Sequence, residues 1–332
     1  MKRLLFVTST RIGDGVLSSG LLDALIAEMG NNGTEEVRVT VACGPLAAPL
    51  FEAVPGLERI IVMTKRRRGG HWIDLWKQVA FTAWDTVVDL RRSALVWTLP
   101  LVRRRLTLPK ETGALIHRVV QIGSVIGRGQ RPPVPRLWLT DRHRARAAEL
   151  IPDGGPVLAL GPTANWRAKT WRAERFADLM QRLTGVGGVL PGARVALFGG
   201  PGERPQAEAL IDAVPETLRI DLIGSIDLLT AYACLQRCAL YVGNDSALMH
   251  LAAAAGIPTL GLFGPSEDAH YAPWGEHCAV QRTTVPFADI YPPGFDHRTS
   301  DTLMDTLTVD AAEAAARGLW QRCWGLEAEG RG

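Results

Sequence analysis

The sequence "GNDS" at residues 243–246 is a segment whose residue types suggest chemistry, because an apolar run ends there and an Ala-rich helical pattern begins. A helix that starts at this place points free backbone N–H groups and its positive dipole end at the segment, and such an arrangement holds a phosphate. His250, four residues after Ser246, would lie on the same face of the first turn. The pattern favours a pyrophosphate site. The alternative is a plain N-cap at Asp245 or Ser246 with a partly buried His250.

A second segment, "RIGDG" at residues 11–15, places a carboxylate between two glycines. A dinucleotide-binding loop follows the pattern G-x-G-x-x-G, but Gly13, Gly15 and Ser18 occupy those places and Asp14 would repel a nearby pyrophosphate. The failed pattern counts against a nicotinamide-dependent oxidoreductase. With the phosphates bound elsewhere, Asp14 suits a general base that takes a proton from a hydroxyl. The same position also suits the N-cap of a helix.

Two further segments carry polar residues after apolar runs. The sequence "GPTANWRAKTW" at residues 161–171 offers Thr163 and Lys169 in a loop, and Glu203 lies at the start of a predicted helix. Taken alone, Lys169 belongs to a solvated charged turn with the neighbouring arginines, and Glu203 interacts with a helix dipole. The sequence has neither a D-x-D motif nor a C-x-x-C pair. We therefore predict no metal and no cofactor.

The elements that must position these residues follow a regular alternation. Apolar runs such as "RLLFVTS" and "PVLALGP" alternate with helical patterns such as "GVLSSGLLDALIAEM", which implies right-handed crossovers and parallel sheets. The alternation occurs twice, and a Pro-rich segment separates the two series. A chain of 332 residues also exceeds the size that one core usually serves.

The fold predicted from this alternation is α/β, with two Rossmann-like doubly wound parallel-sheet lobes at residues 1–150 and 151–307. A final helix would occupy residues 308–332 and pack back on the first lobe. Because ligands bind at the carboxyl ends of parallel strands, we expect the ligand site in a cleft between the lobes.

Charge differs between the two halves of the chain. Residues 1–150 contain 23 Lys and Arg against 13 Asp and Glu, whereas residues 151–332 contain 14 against 21. In the first half, basic runs at 65–68, 91–92 and 103–105 accompany four tryptophans, which are Trp72, Trp76, Trp84 and Trp97. Such a surface attracts an anionic lipid headgroup, a nucleic acid or a membrane face, and the alternative is an ordinary solvated face.

The cysteines and the apolar runs indicate the compartment. Five cysteines form no C-x-x-C pair, and their odd number argues against a closed disulfide framework, so a reducing cytosol fits best. The apolar run after Lys2 and Arg3 ends at Thr8, which is too short for a signal peptide. No stretch approaches the length of a transmembrane helix. We expect a soluble protein that at most lies on a membrane surface.

Two motifs resemble a known family. The segment "GNDSALMHLAAAAGIPTLGLFGP" resembles the donor-site motif of the ADP-heptose:lipopolysaccharide heptosyltransferases, which form glycosyltransferase family 9. The segment "RIGDGVLSSGLLDAL" is similar to the N-terminal signature of that family, in which an R-x-G-D turn precedes a helix. Together with the lysine segment, the resemblance extends in the right order over nearly the whole chain. Ala247 stands where the family often has Gly, and Gly15 and Gly20 replace an apolar residue and Pro, which would loosen the first helix.

The resemblance implies a GT-B fold and a role for each candidate residue. Asp14 would be the catalytic base, and Arg11 with Gly13 would contact the acceptor. The donor would bind in the second lobe, with Lys169 on a phosphate and an acidic contact from Glu203. The complete set of implied donor-binding residues is Thr163, Lys169, Glu203, Asn244, Asp245, Ser246, Ala247 and His250.

The function that the resemblance implies is metal-independent, inverting transfer of heptose from ADP-heptose to the inner core of lipopolysaccharide. Its partners would be an ADP-sugar donor, an anionic lipid-linked oligosaccharide acceptor and the cytoplasmic surface of the inner membrane, with no nucleic acid. The protein would be cytoplasmic and peripheral at that membrane. One alternative is a related GT-B glycosyltransferase with another nucleotide sugar or acceptor. Another is a catalytically silent nucleotide-sugar-binding module.

Overall fold

The structure is a computed structural model that describes residues 1–110, 115–296 and 299–325. The chain divides into two compact units, of which the first is Met1–Thr140 and the second begins at Asp141. Each unit contains one parallel sheet with helices on its faces. The α/β class and the two doubly wound sheets predicted from the alternating pattern are therefore confirmed.

The first unit has a five-stranded parallel sheet with the order β3-β2-β1-β4-β5. Its strands are β1 (Lys2–Val7), β2 (Val37–Cys43), β3 (Leu57–Val62), β4 (Trp84–Asp89) and β5 (Val102–Thr107). Its helices are α1 (Ile12–Met29), α2 (Gly70–Val79), α3 (Leu95–Thr98) and α4 (Arg118–Gly123). The central strand β1 is apolar from Leu4 to Val7 and fully buried there, as expected for a strand covered on both faces.

The second unit has a six-stranded parallel sheet with the order β11-β10-β9-β6-β7-β8. Its strands are β6 (Val157–Gly161), β7 (Arg194–Leu197), β8 (Arg219–Asp221), β9 (Leu240–Asn244), β10 (Thr259–Phe263) and β11 (Cys278–Arg282). Its helices are α5 (Asp141–Leu150), α6 (Ala173–Thr184), α7 (Glu208–Ala213), α8 (Leu228–Leu235), α9 (Ala247–Ala254), α10 (Asp268–Tyr271) and α11 (Val309–Trp324). This is the strand order of dinucleotide-binding Rossmann folds.

The boundary between the two compact units lies before α5, ten residues earlier than the boundary predicted from the sequence. Helix α5 packs against α8, so it belongs to the second unit. The Pro-rich segment before it belongs to the first unit, because the carbonyls of Pro133 and Val134 lie against helix α1 and Arg136 N–H donates to Ser19 Oγ at 3.0 Å. The alternation of strands and helices does not reveal this division, since α5 precedes the first strand of its own unit.

The C-terminal helix α11 uses its apolar face inside the second unit. Ala312, Ala316 and Leu319 recur at helical spacing and are fully buried in the core that α6, β10 and β11 also line. Its first turn is capped by Thr308, whose Oγ1 accepts from the Ala311 N–H at 3.2 Å. The sequence predicts that this segment packs back on the first lobe. The structure buries the apolar stripe of α11 on the sheet of its own unit, and packing on the first lobe stays a prediction.

Gly20 has a role in packing that the sequence does not reveal. A Cβ atom at this position would lie 2.5 Å from the carbonyl oxygen of Pro133 and 2.6 Å from that of Val134. Gly15 faces the side chain of Leu50, where a Cβ atom would lie 2.9 Å from Cδ1. The sequence predicts that these two glycines loosen α1. In the structure, the Leu50 side chain packs closely against Gly15, and the backbone of Pro133 and Val134 packs closely against Gly20.

Candidate functional site

The predicted donor residues lie on loops that leave the carboxyl edge of the second sheet. Thr163 follows β6, Glu203 follows β7, and residues 244–247 join β9 to α9. Strands β7, β6 and β9 are neighbours, and the order of the sheet reverses at β6. Because parallel strands that meet at such a reversal open a crevice at their carboxyl ends, this edge is the expected ligand site.

The start of helix α9 has the geometry predicted from its sequence. Ser246 is the N-cap residue with extended backbone angles (φ −147°, ψ 173°), and Ala247 is the first helical residue. Among the described residues the Ser246 hydroxyl makes no capping hydrogen bond to the first turn. A plain side-chain cap at Ser246 is therefore not what the segment provides. The N–H groups of the first turn lie at the helix end, as an anion site requires.

Lys169 and Asp245 form an ion pair beside this helix end. The Lys169 Nζ lies 2.5 Å from Asp245 Oδ2, and the two side chains are only 18% and 8% exposed. The ammonium also lies 5.2 Å from the centre of the Trp166 ring. The nearby Arg172, in contrast, pairs with Asp305 at an exposed position. Lys169 is thus separated from the solvated arginines of its turn and held beside the start of α9.

Thr163 and Glu203 form the second polar contact of this edge. Thr163 Oγ1 donates to Glu203 Oε2 at 2.6 Å, and the Gly200 N–H donates to the same oxygen at 2.7 Å. Thr163 is buried. Glu203 is the N-cap residue of the short 3-10 turn Arg204–Ala207, but its carboxylate bonds the loop after β7 instead of that turn. The contact joins the ends of β6 and β7 at one carboxylate.

Asn244 connects the loops of the site instead of facing outward. Its side chain is fully buried, its Oδ1 accepts from the Trp171 N–H at 3.1 Å, and its Nδ2 donates to the Pro162 carbonyl at 2.7 Å. His250 is buried in α9 one turn after the N-cap. Asn244 therefore fixes the end of β9 against the loop that carries Lys169.

Asp14 lies in the first turn of α1, at the carboxyl end of β1 in the first unit. The N-cap of this helix is Arg11, so the predicted N-cap role does not fall to Asp14. Asp14 Oδ2 accepts from Ser9 Oγ at 3.1 Å, and Oδ1 lies 3.7 Å from the Arg118 Nε. Both charged side chains are 15% exposed. Within the described part of the chain neither Asp14 Oδ1 nor Arg118 Nε makes a hydrogen bond.

The other two predicted acceptor residues also lie at this helix start. Arg11 is exposed, and Gly13 is the second residue of α1. The structure therefore brings Arg11, Gly13 and Asp14 together with Arg118, which comes from the start of α4. Local sequence gives no signal for Arg118, because it lies far from Asp14 along the chain and only the packing of α4 on α1 brings it near.

Asp89 is a second polar residue that the sequence analysis did not select. It is fully buried at the end of β4 and accepts hydrogen bonds from the Arg91 N–H and the Ser93 N–H, each at 2.8 Å, and from Ser93 Oγ at 2.5 Å. Burial raises the pKa of Asp89, and these hydrogen bonds oppose that shift. The sequence feature that could have identified Asp89 is a carboxylate at the end of an apolar strand. Its contacts stabilise the turn after β4.

The basic and aromatic residues of the first unit are not all part of one surface. Trp84 is a core residue, with only 2% of its surface exposed, and its Nε1 donates to the Val79 carbonyl. Arg105 donates to three backbone carbonyls and thus has a structural role. Trp97 and Phe81, in contrast, are 68% and 82% exposed.

Trp76 contacts Phe81 and the residue that follows Trp97. Its ring meets that of Phe81 edge-on at 6.1 Å, and its Nε1 donates to the Thr98 carbonyl at 3.4 Å, next to Trp97. We call Trp76, Phe81 and Trp97 the aromatic surface. In the part of the chain that the structure describes, no helix has both the length and the apolar character of a membrane span.

Comparison with known proteins adds relatives to this geometry. Residues 79–286 match the family model described as glycosyltransferase family 9 (heptosyltransferase). A lipooligosaccharide heptosyltransferase 2 of Haemophilus influenzae is 33% identical over 188 residues, which are 52% of this chain and 53% of that protein. The alignment thus spans about half the length of this curated relative.

Two solved structures share the fold. A family 9 glycosyl transferase from Veillonella parvula superposes with a TM-score of 0.74 at 20% identity, and 97% of each chain is covered. The ADP-heptose lps heptosyltransferase II of Escherichia coli has a TM-score of 0.71 at 20% identity, with 97% of this chain and 99% of that chain covered. These likenesses show the fold, and the GT-B class predicted from the motifs is confirmed. Because the family model matches well over half of the sequence, the chain belongs to glycosyltransferase family 9.

Proposed function

We propose that the protein is an inverting glycosyltransferase that moves heptose from ADP-heptose to a hydroxyl of the inner core of lipopolysaccharide. The observation that carries the proposal is the Lys169–Asp245 ion pair, held at 2.5 Å beside the start of α9. The names of the H. influenzae and E. coli relatives support heptose as the sugar and ADP-heptose as the donor.

The donor diphosphate binds at the N-terminus of α9. Its oxygens accept hydrogen bonds from the free N–H groups of the first turn, and the helix dipole favours their negative charge. Lys169 supplies a full positive charge on the same side, and Asp245 fixes its position before the ligand arrives. Charge that develops on the departing ADP is thereby stabilised by groups already in place.

The acceptor hydroxyl is deprotonated by Asp14. In an inverting transfer the hydroxyl oxygen attacks the sugar carbon while the bond from that carbon to the ADP oxygen breaks, and the proton passes to the base. Ser9 orients one oxygen of Asp14, whereas the other oxygen is buried and has no hydrogen bond to a described residue. This second oxygen accepts the hydroxyl proton once the acceptor displaces the groups that cover it. Arg11, Gly13 and Arg118 contact the anionic acceptor.

The proposal includes association with the cytoplasmic face of the inner membrane, where the lipid-linked acceptor resides. The aromatic surface supports it, because exposed Trp and Phe rings partition into the interface of a bilayer. Basic residues such as Arg103, whose side chain is 85% exposed, lie on the same unit and attract anionic headgroups. The two observations together favour a peripheral protein whose first unit faces the membrane.

The proposal is tested by incubating the purified protein with ADP-heptose and a heptose-free lipid-linked core acceptor, with the product followed by mass spectrometry. We expect the acceptor to gain the mass of one heptose. Parallel reactions with UDP- and GDP-linked sugars test the related-glycosyltransferase alternative, which a faster reaction with one of them would favour. Binding of ADP-heptose without transfer to any acceptor would favour the silent binding module.

A further inference from the structure

A row of three glycines crosses the centre of the second sheet. Gly161, Gly243 and Gly261 are in register on β6, β9 and β10. A Cβ atom at Gly161 would lie 2.0 Å from the Oη of Tyr241, and one at Gly243 would lie 2.3 Å from it. Gly161 and Gly243 thus leave room for the Tyr241 ring, which extends along the sheet from its own strand toward the carboxyl edge, whereas Gly261 faces Met249.

The hydroxyl of Tyr241 is buried beside the proposed donor site. Tyr241 is fully buried, and its Oη and the Oγ of Ser246 are both inaccessible to solvent. Burial raises the pKa of the phenol, the neighbouring Ser246 hydroxyl lowers it, and the carboxylates of Asp245 and Glu203 raise it. The phenol therefore lies within the electrostatic range of three residues of the site and remains a protonated hydrogen-bond donor.

The two hydroxyls are neighbours, but the contact between them lacks the geometry of a full hydrogen bond, and neither hydroxyl has another partner among the described residues. A buried hydroxyl without a partner is destabilising, and phenylalanine would fill the same space without that cost. The Ser246 hydroxyl is at the N-cap of α9 and the Tyr241 hydroxyl lies beside it. One role shared by the two residues would explain both buried hydroxyls.

We propose that Tyr241 is a positioning residue that donates a hydrogen bond from Oη to the Oγ of Ser246 when a nucleoside diphosphate occupies the N-terminus of α9. Ser246 Oγ, which solvent does not reach in this structure, is then uncovered, and its proton is directed at a phosphate oxygen. The hydrogen bond from Ser246 to the charged phosphate oxygen is stronger than one between neutral groups. The bond from Tyr241 to Ser246 polarises the serine hydroxyl, so each of the two bonds strengthens the other. This inference rests on the proposed donor site. It adds Tyr241, which does not touch the ligand and acts through Ser246.

The test measures ADP affinity by calorimetry and thermal stability for Tyr241→Phe, Ser246→Ala and the double variant. The matched control is Tyr232→Phe, because Tyr232 is also buried in the second unit but its Oη donates to the Ala254 carbonyl at 3.1 Å. We expect Tyr241→Phe to weaken ADP binding about 3- to 10-fold with an unchanged or higher Tm. We expect Tyr232→Phe to lower the Tm and leave the ADP affinity unchanged.

The double variant separates positioning from a general structural effect. If Tyr241 acts through Ser246, Tyr241→Phe adds little to the loss that Ser246→Ala already causes. Wild-type ADP affinity in Tyr241→Phe, or losses that multiply in the double variant, would overturn this inference alone. A wild-type protein that does not bind ADP would overturn the proposed donor site as well.

Discussion

The two units have the same kind of sheet but different polar groups at the carboxyl edge. The first sheet extends in both directions from β1, and the second extends in both directions from β6. At the edge of the second sheet Lys169 is paired with Asp245 at 2.5 Å, and Glu203 accepts two hydrogen bonds. At the edge of the first, Asp14 accepts one hydrogen bond from Ser9 and remains 3.7 Å from Arg118.

Net charge differs in the same way. Residues 1–140 contain 20 Lys and Arg against 11 Asp and Glu, whereas residues 141–332 contain 17 against 23. The net charge of the first unit therefore favours a large anionic molecule over some distance, whereas in the proposed function the second unit binds an anion through one lysine and one helix end. The proposed function thus assigns two different tasks to one topology, because the task depends on the loops after the strands and not on the sheet.

The largest effect expected from this comparison is the loss of transfer in Asp14→Asn. The amide keeps the size of the side chain but cannot accept the hydroxyl proton, so we expect kcat to fall by about 10²–10⁴-fold. ADP affinity should remain at the wild-type value, because the donor binds the other unit. The measurement combines turnover with calorimetric titration of ADP.

Asp23→Asn is the matched control for Asp14→Asn. Asp23 also lies on α1 and pairs with an arginine, Arg136, at 3.6 Å. We expect this variant to keep full activity. Unchanged turnover in Asp14→Asn would contradict the assignment of the base to the first unit.

The next effect concerns the cation of the second unit. In Lys169→Ala the diphosphate loses a charged partner, and hydrogen bonds to charged groups contribute about 1.5–3 kcal/mol. We expect ADP to bind roughly 10- to 150-fold more weakly. Arg172→Ala removes an exposed cation from the same segment and should leave the affinity unchanged. Equal losses in the two variants would show that general charge, and not the placement of Lys169, binds the diphosphate.

A smaller effect compares a glycine in the first helix of the first unit with one in the last helix of the second. Gly20→Ala places a Cβ atom against two backbone carbonyls, and we expect it to reduce the free energy of unfolding by about 1–3 kcal/mol. In Gly318→Ala the nearest group is the end of the Arg322 side chain at 3.8 Å, so the variant should gain up to about 1 kcal/mol. Thermal unfolding measures both. A stabilised Gly20→Ala would contradict the close packing described for α1.

The smallest effect expected is on membrane association. We expect Phe81→Ser with Trp97→Ser to reduce binding to vesicles that contain anionic phospholipid several-fold, since each ring loses its transfer into the interface. Val186→Ser is the control, because Val186 is fully exposed and lies on the second unit. Cosedimentation with vesicles measures both. If the Phe81→Ser, Trp97→Ser double variant and the Val186→Ser control bind the vesicles equally, the membrane contact lies on another surface.

The sequence predicted the local structure of the second edge better than that of the first. The strand-to-helix turn at residues 243–247 is a local feature, and its residue types imply a helix start that the structure contains. Lys169 was separable from its neighbouring arginines only by its contact with Asp245, which lies on a different loop. Arg118 and Tyr241 had no local signal, because the partners that give them meaning come from distant parts of the chain.

The order of apolar runs and helical patterns determined by itself that this chain forms two parallel α/β sheets, since hydrophobic periodicity and crossover handedness are local properties. The sequence also determined that a helix begins after "GNDS". Only the tertiary structure decided that α5 and α11 belong to the second unit and that Asp14 faces Arg118. It also decided that the Tyr241 ring packs against Gly161 and Gly243. Each of these features depends on which distant surfaces pack together. The burial of apolar area is not directional, so a local pattern does not specify the partner surface and only the whole fold does.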